Sequence, residues 1–200
     1  MSQPHEELPH DGELVQQILD AASTGFATRG LEGTSLRRIA ERAGVRHTLI
    51  SYNYRDKETL WREAAAFLYG RLVRRLREVE RQVSRHEPRG RVRRLLIEFV
   101  IACSESRIMT FAYEARGTPR NQWLRAHYAG PIRHFLCGVI EEGQKAGHLP
   151  AADPNLHYQL LAGTSIVRGW WTDVDEDRLS AEQLEREAAK LVDLLLVTDG

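Results

Sequence analysis

A chain of 200 residues, 42% of them hydrophobic and 28% charged, has the composition of an ordinary globular protein with one domain or two small ones. Its 28 Lys and Arg residues balance its 28 Asp and Glu residues, so the formal net charge of zero excludes a polycation, and any affinity for nucleic acid has to come from local charge. No stretch approaches the roughly twenty apolar residues that a membrane-spanning helix needs, which excludes a membrane partner.

The first twelve residues combine prolines, histidines and acids, and they predict a disordered arm. A first amphipathic helix is predicted to follow and to end before Gly30, because apolar residues recur there at helical spacing. Its apolar stripe consists of Leu14, Val15, Ile18, Leu19, Ala22 and Phe26.

A second, shorter helix is predicted over 34–43. Thr34 and Ser35 can offer hydroxyl groups to the free N–H groups at its start. Gly44 supplies the left-handed residue that closes it tightly, and Val45 seals the corner with an apolar contact. The inward face is formed by Leu36, Ile39, Ala40 and Ala43.

A third helix is predicted over 46–53, and it can bury only Leu49 and Ile50. Its other side chains form hydrogen bonds or stack, which suits base edges and phosphates. Two short helices around a tight turn, the second polar and aromatic outside, are typical of a helix-turn-helix DNA reader. The outward side chains are Arg46, His47, Thr48, Ser51, Tyr52 and Asn53.

These residues carry a resemblance. The run from Gly44 to Leu60 resembles the signature of TetR-family transcriptional regulators, and the upstream Phe26-Ala27-x-x-Gly30 and Thr34-Ser35-x-x-x-Ile39-Ala40-x-x-Ala43 match as well. The resemblance implies an all-α fold of about nine helices. It divides the chain into a disordered arm (1–12), a three-helix helix-turn-helix head (13–60) and a helical bundle for ligand binding and dimerisation (61–200).

In that family the third helix enters the major groove and a lysine at the start of the fourth touches a phosphate; here those roles fall on 46–53 and Lys57. Asn53 and Tyr54 depart from the residues usual at their positions, so the operator cannot be deduced by analogy. Tyr54 fits either packing or DNA contact, whereas Tyr52 is expected to face DNA. The predicted DNA-binding residues are Thr34, Ser35, Arg46, His47, Thr48, Ser51, Tyr52, Asn53 and Lys57.

The distribution of charge along the chain agrees with a DNA-binding end and an end that does not bind DNA. Eight basic residues face four acidic ones between Arg29 and Arg62, whereas the last thirty residues are acidic. His47 is not expected to bind metal, because no second ligand lies nearby at suitable spacing. The Arg-rich stretch from Arg71 to Arg94 fits a second nucleic-acid patch, but a solvated helix face balanced by acids is favoured.

Beyond Leu60 the pattern stays helical. Asp56 is predicted to cap a long fourth helix, the segment 86–90 forms an internal boundary, and Pro131 predicts a kink in the seventh helix near Gly130. Cys103 and Cys137 fall within apolar helical patterns. They could pair, but without a signal peptide a reducing cytoplasm and buried thiols are expected.

The middle helices are rich in aromatic and soft side chains, and the resemblance places an inducer pocket there. For any single residue, simply filling a helical core is the favoured interpretation. His127 and Tyr128 are the stronger candidates because they bring polar groups beside the predicted kink. The candidate ligand residues are Phe67, Phe99, Cys103, Met109, Tyr113, Trp123, His127 and Tyr128.

The last two helices, which begin after Asp153 and at the capping box of Ser180 and Gln183, have wide apolar faces that one chain does not easily cover. They predict a homodimer built on a four-helix bundle, as the family would have it. The alternative is that both pack only on their own chain. The predicted interface comprises Leu160, Gly163, Val167, Trp170, Leu184, Leu191 and Leu195.

The resemblance thus implies a cytoplasmic, ligand-responsive, sequence-specific repressor, released from a palindromic DNA operator by a small apolar or aromatic effector, with no cofactor. The alternative is a helical ligand-binding dimer without specific DNA binding. An enzyme is disfavoured because glycine loops of phosphate-binding type and nucleophile elbows are absent, and the adjacent Glu141 and Glu142 cannot face one site on a helix.

Overall fold

The computed structural model describes residues 11–105, 107–171 and 179–197, with the backbone alone at 11, 105 and 166–171. All regular elements in these ranges are helical, which gives the expected all-α fold. The helices are α1 (Asp11–Gly33), α2 (Leu36–Arg42), α3 (His47–Asn53), α4 (Lys57–Val83), α5 (Pro88–Glu105), α6 (Ile108–Glu114), α7 (Pro119–Leu124), a π-helical turn (Arg125–Ala129), α8 (Gly130–Lys145), α9 (Pro154–Trp171) and α10 (Ala181–Asp193). Since α7, the π turn and α8 run on without a break, these elements form nine continuous helices in the described chain, as predicted.

Contacts divide the chain into two compact units that meet in sequence at Phe67 and Leu68. This division falls inside α4, later in that helix than the predicted boundary after Leu60. The predicted arm over 1–12 lies outside the described residues except for Asp11 and Gly12, which begin α1. No described helix has the length and apolar character needed to cross a bilayer.

The first unit is built on α1, which packs on α2, while α2 packs on α3. Gly30 interrupts α1 with φ 67° and ψ 178°, a left-handed conformation that glycine adopts without a side-chain clash, so the helix breaks where the sequence predicted. Ile18, Phe26, Ile39 and Ile50 are almost completely buried and form the core of this unit.

The second unit is organised around α5, which packs against α8, α9 and α10. Residues 95–103 of α5 are all buried, including Ile97, Glu98 and Ile101, because this helix is surrounded rather than half-exposed. Cys103 lies in this core, and burial raises the pKa of its thiol to about 12. Cys103 and Cys137 are both free thiols; Cys103 is buried as expected, whereas Cys137 is only partly covered.

The predicted kink near Gly130 is a π turn. Gly130 donates its backbone N–H to the carbonyl of Arg125, five residues earlier, and Pro131 has no N–H with which to continue the α-helical pattern. A Cβ atom at Gly130 would lie only 2.5 Å from that carbonyl oxygen. The glycine-proline pair therefore accounts for the widened turn.

Replacing Gly130 by alanine should lower the free energy of unfolding by roughly 1–3 kcal/mol, since the added methyl overlaps a backbone atom that cannot move aside freely. Gly138→Ala is the matched control, because a Cβ at this helical glycine meets no other atom within 4 Å. Urea unfolding followed by circular dichroism measures both variants. Equal stability of the two variants would contradict a tight π turn.

Candidate nucleic-acid interface

The turn between α2 and α3 is closed by two backbone hydrogen bonds. Gly44, with φ 66°, donates its N–H to the Glu41 carbonyl (3.3 Å), and Val45 donates to the Ala40 carbonyl (3.0 Å). This is the Schellman pattern of helix termination, and it needs the left-handed residue that Gly44 supplies. The predicted tight corner is confirmed, and it sets the start of α3.

The two hydroxyl residues before α2 have different roles. Ser35 is the N-cap, and its Oγ accepts a hydrogen bond from the Arg38 N–H (3.2 Å). The hydroxyl of Thr34 instead donates to the carbonyls of Gly25 (2.9 Å) and Gly30 (2.7 Å), and this side chain is only 3% exposed. The prediction that Thr34 caps α2 is therefore wrong. A side chain buried in this way has no hydroxyl to offer DNA, so Thr34 leaves the candidate set.

Thr34→Val should lower the free energy of unfolding by roughly 1–3 kcal/mol, because the carbonyls of Gly25 and Gly30 lose the one hydroxyl donor that they share while the side chain keeps its shape. Thr34→Ser keeps the hydroxyl and should be less destabilised than the valine variant. Thermal unfolding of the three proteins measures the difference. If valine were as stable as threonine, the hydroxyl would contribute nothing to the head.

The third helix presents the predicted outer face. Ile50 is fully buried and Leu49 half-buried, whereas Tyr52 is 88% exposed. The side-chain amide of Asn53 donates to the Leu49 carbonyl (2.8 Å), which turns it back onto its own helix. The candidates that the structure leaves exposed in the first unit are Ser35, Arg46, His47, Thr48, Ser51, Tyr52 and Asn53.

Tyr54 is a packing residue. It is 8% exposed, and desolvation by burial raises the pKa of its phenol. Its backbone N–H donates to the Ile50 carbonyl and ends α3. Of the two readings that the sequence allowed for Tyr54, the structure selects packing, and it leaves Tyr52 as the exposed aromatic residue of α3.

The start of α4 places a cation, Lys57, against the end of α1. Asp56 accepts the Thr59 N–H (2.7 Å), the predicted cap, and this hydrogen bond lowers the pKa of the Asp56 carboxyl. Lys57 is half-buried and its Nζ donates to the Glu32 carbonyl at 3.5 Å, the long limit for a hydrogen bond. Such a weak bond leaves the ammonium available to a phosphate.

In the second unit a cavity of about 500 Å³ lies between α4, the π turn and α8. Two of the predicted ligand residues, His127 and Tyr128, line it; both belong to the π turn. Tyr128 stacks on Tyr69 with ring centroids 5.2 Å apart. The full lining is Gly70, Val73, Arg74, Leu76, Arg77, Glu80, His127, Tyr128, Pro131, Ile132 and Phe135.

The other predicted ligand residues lie elsewhere. Phe99 and Cys103 are buried in the α5 core, and Tyr113 is exposed with the Arg116 guanidinium 5.6 Å from its ring centroid. Trp123 stacks on His127 at 4.6 Å without lining the cavity, and Met109 is half-buried. Phe67 belongs to the first unit. None of these six residues lines the cavity, and Phe99 and Cys103 fill the helical core, as the alternative had it.

The predicted dimer-interface residues differ in how exposed they are in the single chain. Leu160 is half exposed, Gly163 is intermediate, and Leu191 and Leu195 are partly buried. Leu184 is 6% exposed within a single chain, on the side of α10 that is already covered, so its assignment to the interface is corrected. The side chains of Val167 and Trp170 lie outside the described residues. Sequence reasoning left Leu156 out of the interface, although it is as exposed as Leu160.

Several members of the Arg-rich stretch are bound to carboxylates on other helices. Arg93 forms two hydrogen bonds with Asp193 (2.6 and 2.8 Å), and this pairing lowers the pKa of Asp193. Arg91 pairs with Glu142, and Arg94 with Glu185 at 2.8 Å. Cations neutralised in this way contribute little to a nucleic-acid patch. The ion pairs therefore favour the predicted helix face whose charge is balanced by acids.

The buried Glu98, like the exposed Leu156, was not identified from the sequence. Its carboxylate is almost fully shielded from solvent in the centre of α5 and pairs with Arg75 of α4 and with Arg94 at 3.4 Å. A buried carboxylate needs such partners because desolvation of an unpaired charge is strongly unfavourable. The pairing joins α4 to α5.

Comparison with known proteins gives a consistent result. The sequence model of bacterial regulatory proteins, tetR family, matches residues 18–64. The HTH-type transcriptional regulator BetI of Yersinia pestis (strain Pestoides F) is 30% identical over 182 residues, which are 88% of this chain and 87% of BetI. The HTH-type transcriptional repressor KstR2 of Rhodococcus jostii is 27% identical over 162 residues, 78% of each chain.

A solved structure agrees in fold. The ketosteroid transcriptional regulator KstR2 of Mycobacterium tuberculosis superposes with a TM-score of 0.71 over 92% of this chain and 95% of its own, at 21% identity. The relatives are transcriptional regulators, and the head that the family model matches is the unit that exposes α3. The chain therefore belongs to the TetR family of bacterial regulatory proteins and is a ligand-responsive, DNA-binding transcriptional regulator of the helix-turn-helix type.

Proposed function

We propose that this protein is a homodimeric repressor that binds a palindromic DNA operator and releases it when a small molecule occupies the cavity beside the π turn. The observation that carries the DNA part is the face of α3. One side of this helix is anchored by the fully buried Ile50, while its hydrogen-bonding side chains and Tyr52 project to solvent. A short helix that is packed on one side and exposes polar side chains on the other suits insertion into the major groove.

The roles within this face follow from side-chain chemistry. Arg46 and His47 can donate to guanine or to phosphate, Thr48 and Ser51 can bond base edges or backbone oxygens, and the ring of Tyr52 can contact a thymine methyl group. Lys57 would bind a phosphate, replacing its long bond to the Glu32 carbonyl. The Oγ atom of Ser35 already accepts a hydrogen bond from a helix N–H. Its hydroxyl hydrogen remains available for a hydrogen bond to a phosphate.

The effector part rests on the cavity of the second unit. Helix α4 contributes its residues between Gly70 and Glu80 to the cavity wall, and the same helix begins with Lys57. A ligand that favours one position of α4 can thereby favour one DNA-binding state. Binding of effector and of operator is then linked reciprocally, each weakening the other by the same factor.

Selection from a random-sequence duplex pool tests the proposal. The purified protein is incubated with the pool at near-physiological salt, and bound duplexes are sequenced. An enriched palindrome is the expected result, and it supplies the probe for effector screening. Weak binding without sequence enrichment, lost steeply as salt rises, would overturn sequence-specific recognition and leave only electrostatic contact. The proposed place of action is the bacterial cytoplasm, where such DNA is found.

A further inference from the structure

The cavity beside the π turn is lined by two chemically distinct groups of side chains. Val73, Leu76, Ile132 and Phe135 supply an apolar surface, while Arg74 and Arg77, three residues apart on α4, supply two guanidinium groups. Residues at this spacing lie on one face of a helix. An occupant would therefore meet an apolar wall and two adjacent cations.

The two arginines differ from their neighbours in pairing. Arg75, Arg91 and Arg94 each contact a carboxylate, whereas Arg74 and Arg77 have no ion-pair partner among the described residues. The acid that lines the cavity, Glu80, lies 3.4 Å from Arg91 and is engaged there. Positive charge consequently dominates the polar part of the cavity.

The π turn adds a polar group with a defined proton. The Nδ1 atom of His127 lies 2.8 Å from the Trp123 carbonyl oxygen. Because a carbonyl only accepts, Nδ1 carries a hydrogen, and Nε2 of the neutral ring is left as an acceptor. Turns of this kind occur frequently at functional sites, and here the turn places His127 and Tyr128 together in the lining.

We propose that the effector is an amphipathic organic anion. Its carboxylate, sulfonate or phosphate group would bind Arg74 and Arg77, and its aliphatic or aromatic body would lie against Val73, Ile132 and Phe135. A cavity of about 500 Å³ accommodates a molecule of that kind. This inference rests on the proposed function only in naming the occupant as the effector, and it adds an anionic group to the apolar or aromatic effector that was predicted from the sequence.

Two fluorescent probes that share an aromatic body test the charge requirement: 1-anilinonaphthalene-8-sulfonate, an anion, and N-phenyl-1-naphthylamine, which lacks the sulfonate. In the double variant Arg74→Gln/Arg77→Gln, the Kd of the sulfonate probe should rise about tenfold or more, as expected for lost hydrogen bonds to charged groups. The Kd of the neutral probe should stay nearly constant. The control Arg81→Gln/Arg85→Gln removes the same charge from exposed positions outside the cavity and should leave both constants unchanged.

Two further measurements protect the test against a folding defect. Arg74→Lys/Arg77→Lys keeps the charge and should retain most of the sulfonate binding. For the unaltered protein, raising NaCl from about 50 to about 300 mM should weaken the sulfonate probe and not the neutral one, because ions screen exposed charge. Sulfonate binding that is unaffected by the double glutamine variant, or equal loss of both probes in a folded variant, would overturn the inference.

Operator release separates this inference from the proposed function. Fluorescence anisotropy of a selected operator duplex reports release as each probe is added. If neutral compounds release DNA and anions do not, the effector role stands and the anionic assignment fails. If the sulfonate probe binds through the two arginines but no occupant of the cavity releases DNA, the anion site stands and the proposed regulation fails.

Discussion

Tyr52→Ala should raise the Kd for the selected operator at least about thirtyfold without lowering the unfolding temperature. The side chain is 88% exposed in the free protein, so its removal takes away little packing. A base or stacking contact contributes roughly 1–3 kcal/mol, and a symmetric dimer loses two of them; about 2 kcal/mol already corresponds to thirtyfold. Anisotropy titration measures the affinity, and thermal unfolding the stability.

Tyr54→Ala is the matched control, with the same substitution two residues away. Tyr54 is buried, so its removal should destabilise the protein by about 3 kcal/mol, in the range for buried aromatic residues. Tyr52→Phe separates the ring from the hydroxyl in DNA recognition. If Tyr52→Ala unfolded the head or dissociated the dimer while Tyr54→Ala did not, the assignment of the two tyrosines would have to be exchanged.

Leu156→Arg/Leu160→Arg should convert the proposed dimer into a monomer and reduce operator affinity to the nonspecific level, a loss of about a thousandfold or more. Both leucines are half exposed and lie one turn apart on α9, next to the partly exposed Gly163. In the unaltered protein, a second copy of the chain would bury these two leucines. In the variant, four arginines would face one another in one interface and repel. Loss of the dimer also removes the paired half-site contacts.

Light scattering after size exclusion gives the mass of each variant. Val15→Arg introduces one arginine per chain at an exposed apolar position of α1 and should leave the mass unchanged. A Leu156→Arg/Leu160→Arg protein that keeps its dimeric mass and operator affinity would place the interface elsewhere on the chain.

Local chemistry explains which parts of the fold were predictable. Gly30 marks the break in α1 and Gly44 the turn after α2, both through a positive φ, and Ser180 with Gln183 forms the predicted capping box. These features depend on residues within one helical turn. The exposed face of α3 follows for the same reason, since only Leu49 and Ile50 among its residues are apolar.

Features that depend on distant residues were not predictable. The hydroxyl of Thr34 finds its acceptor nine residues earlier, at Gly25, so a pattern based on helix starts assigned it to the wrong partner. Leu184 lies on an apolar stripe, which predicts that it is buried. The stripe alone does not indicate whether residues of the same chain or of a second chain cover it. The structure shows that the same chain covers it.

The cavity illustrates the same limit in the candidate site. Its position depends on how α4 packs beside the π turn and α8, so aromatic composition selected Phe99 and Cys103, which fill the core instead. Arg74 and Arg77 were seen in sequence only as members of a charged stretch. Their place in the lining becomes visible only when the helices are assembled.

The affinity for a full palindrome, compared with that for the same duplex with one half-site scrambled, tests dimeric recognition most directly. Both titrations use the protein at equal salt, with the stoichiometry taken from the break point at high duplex concentration. We expect the scrambled duplex to bind at least about a hundredfold more weakly, since several base contacts of roughly 1–3 kcal/mol each are lost. Equal affinity for the two duplexes would contradict a regulator that reads its operator as a symmetric pair.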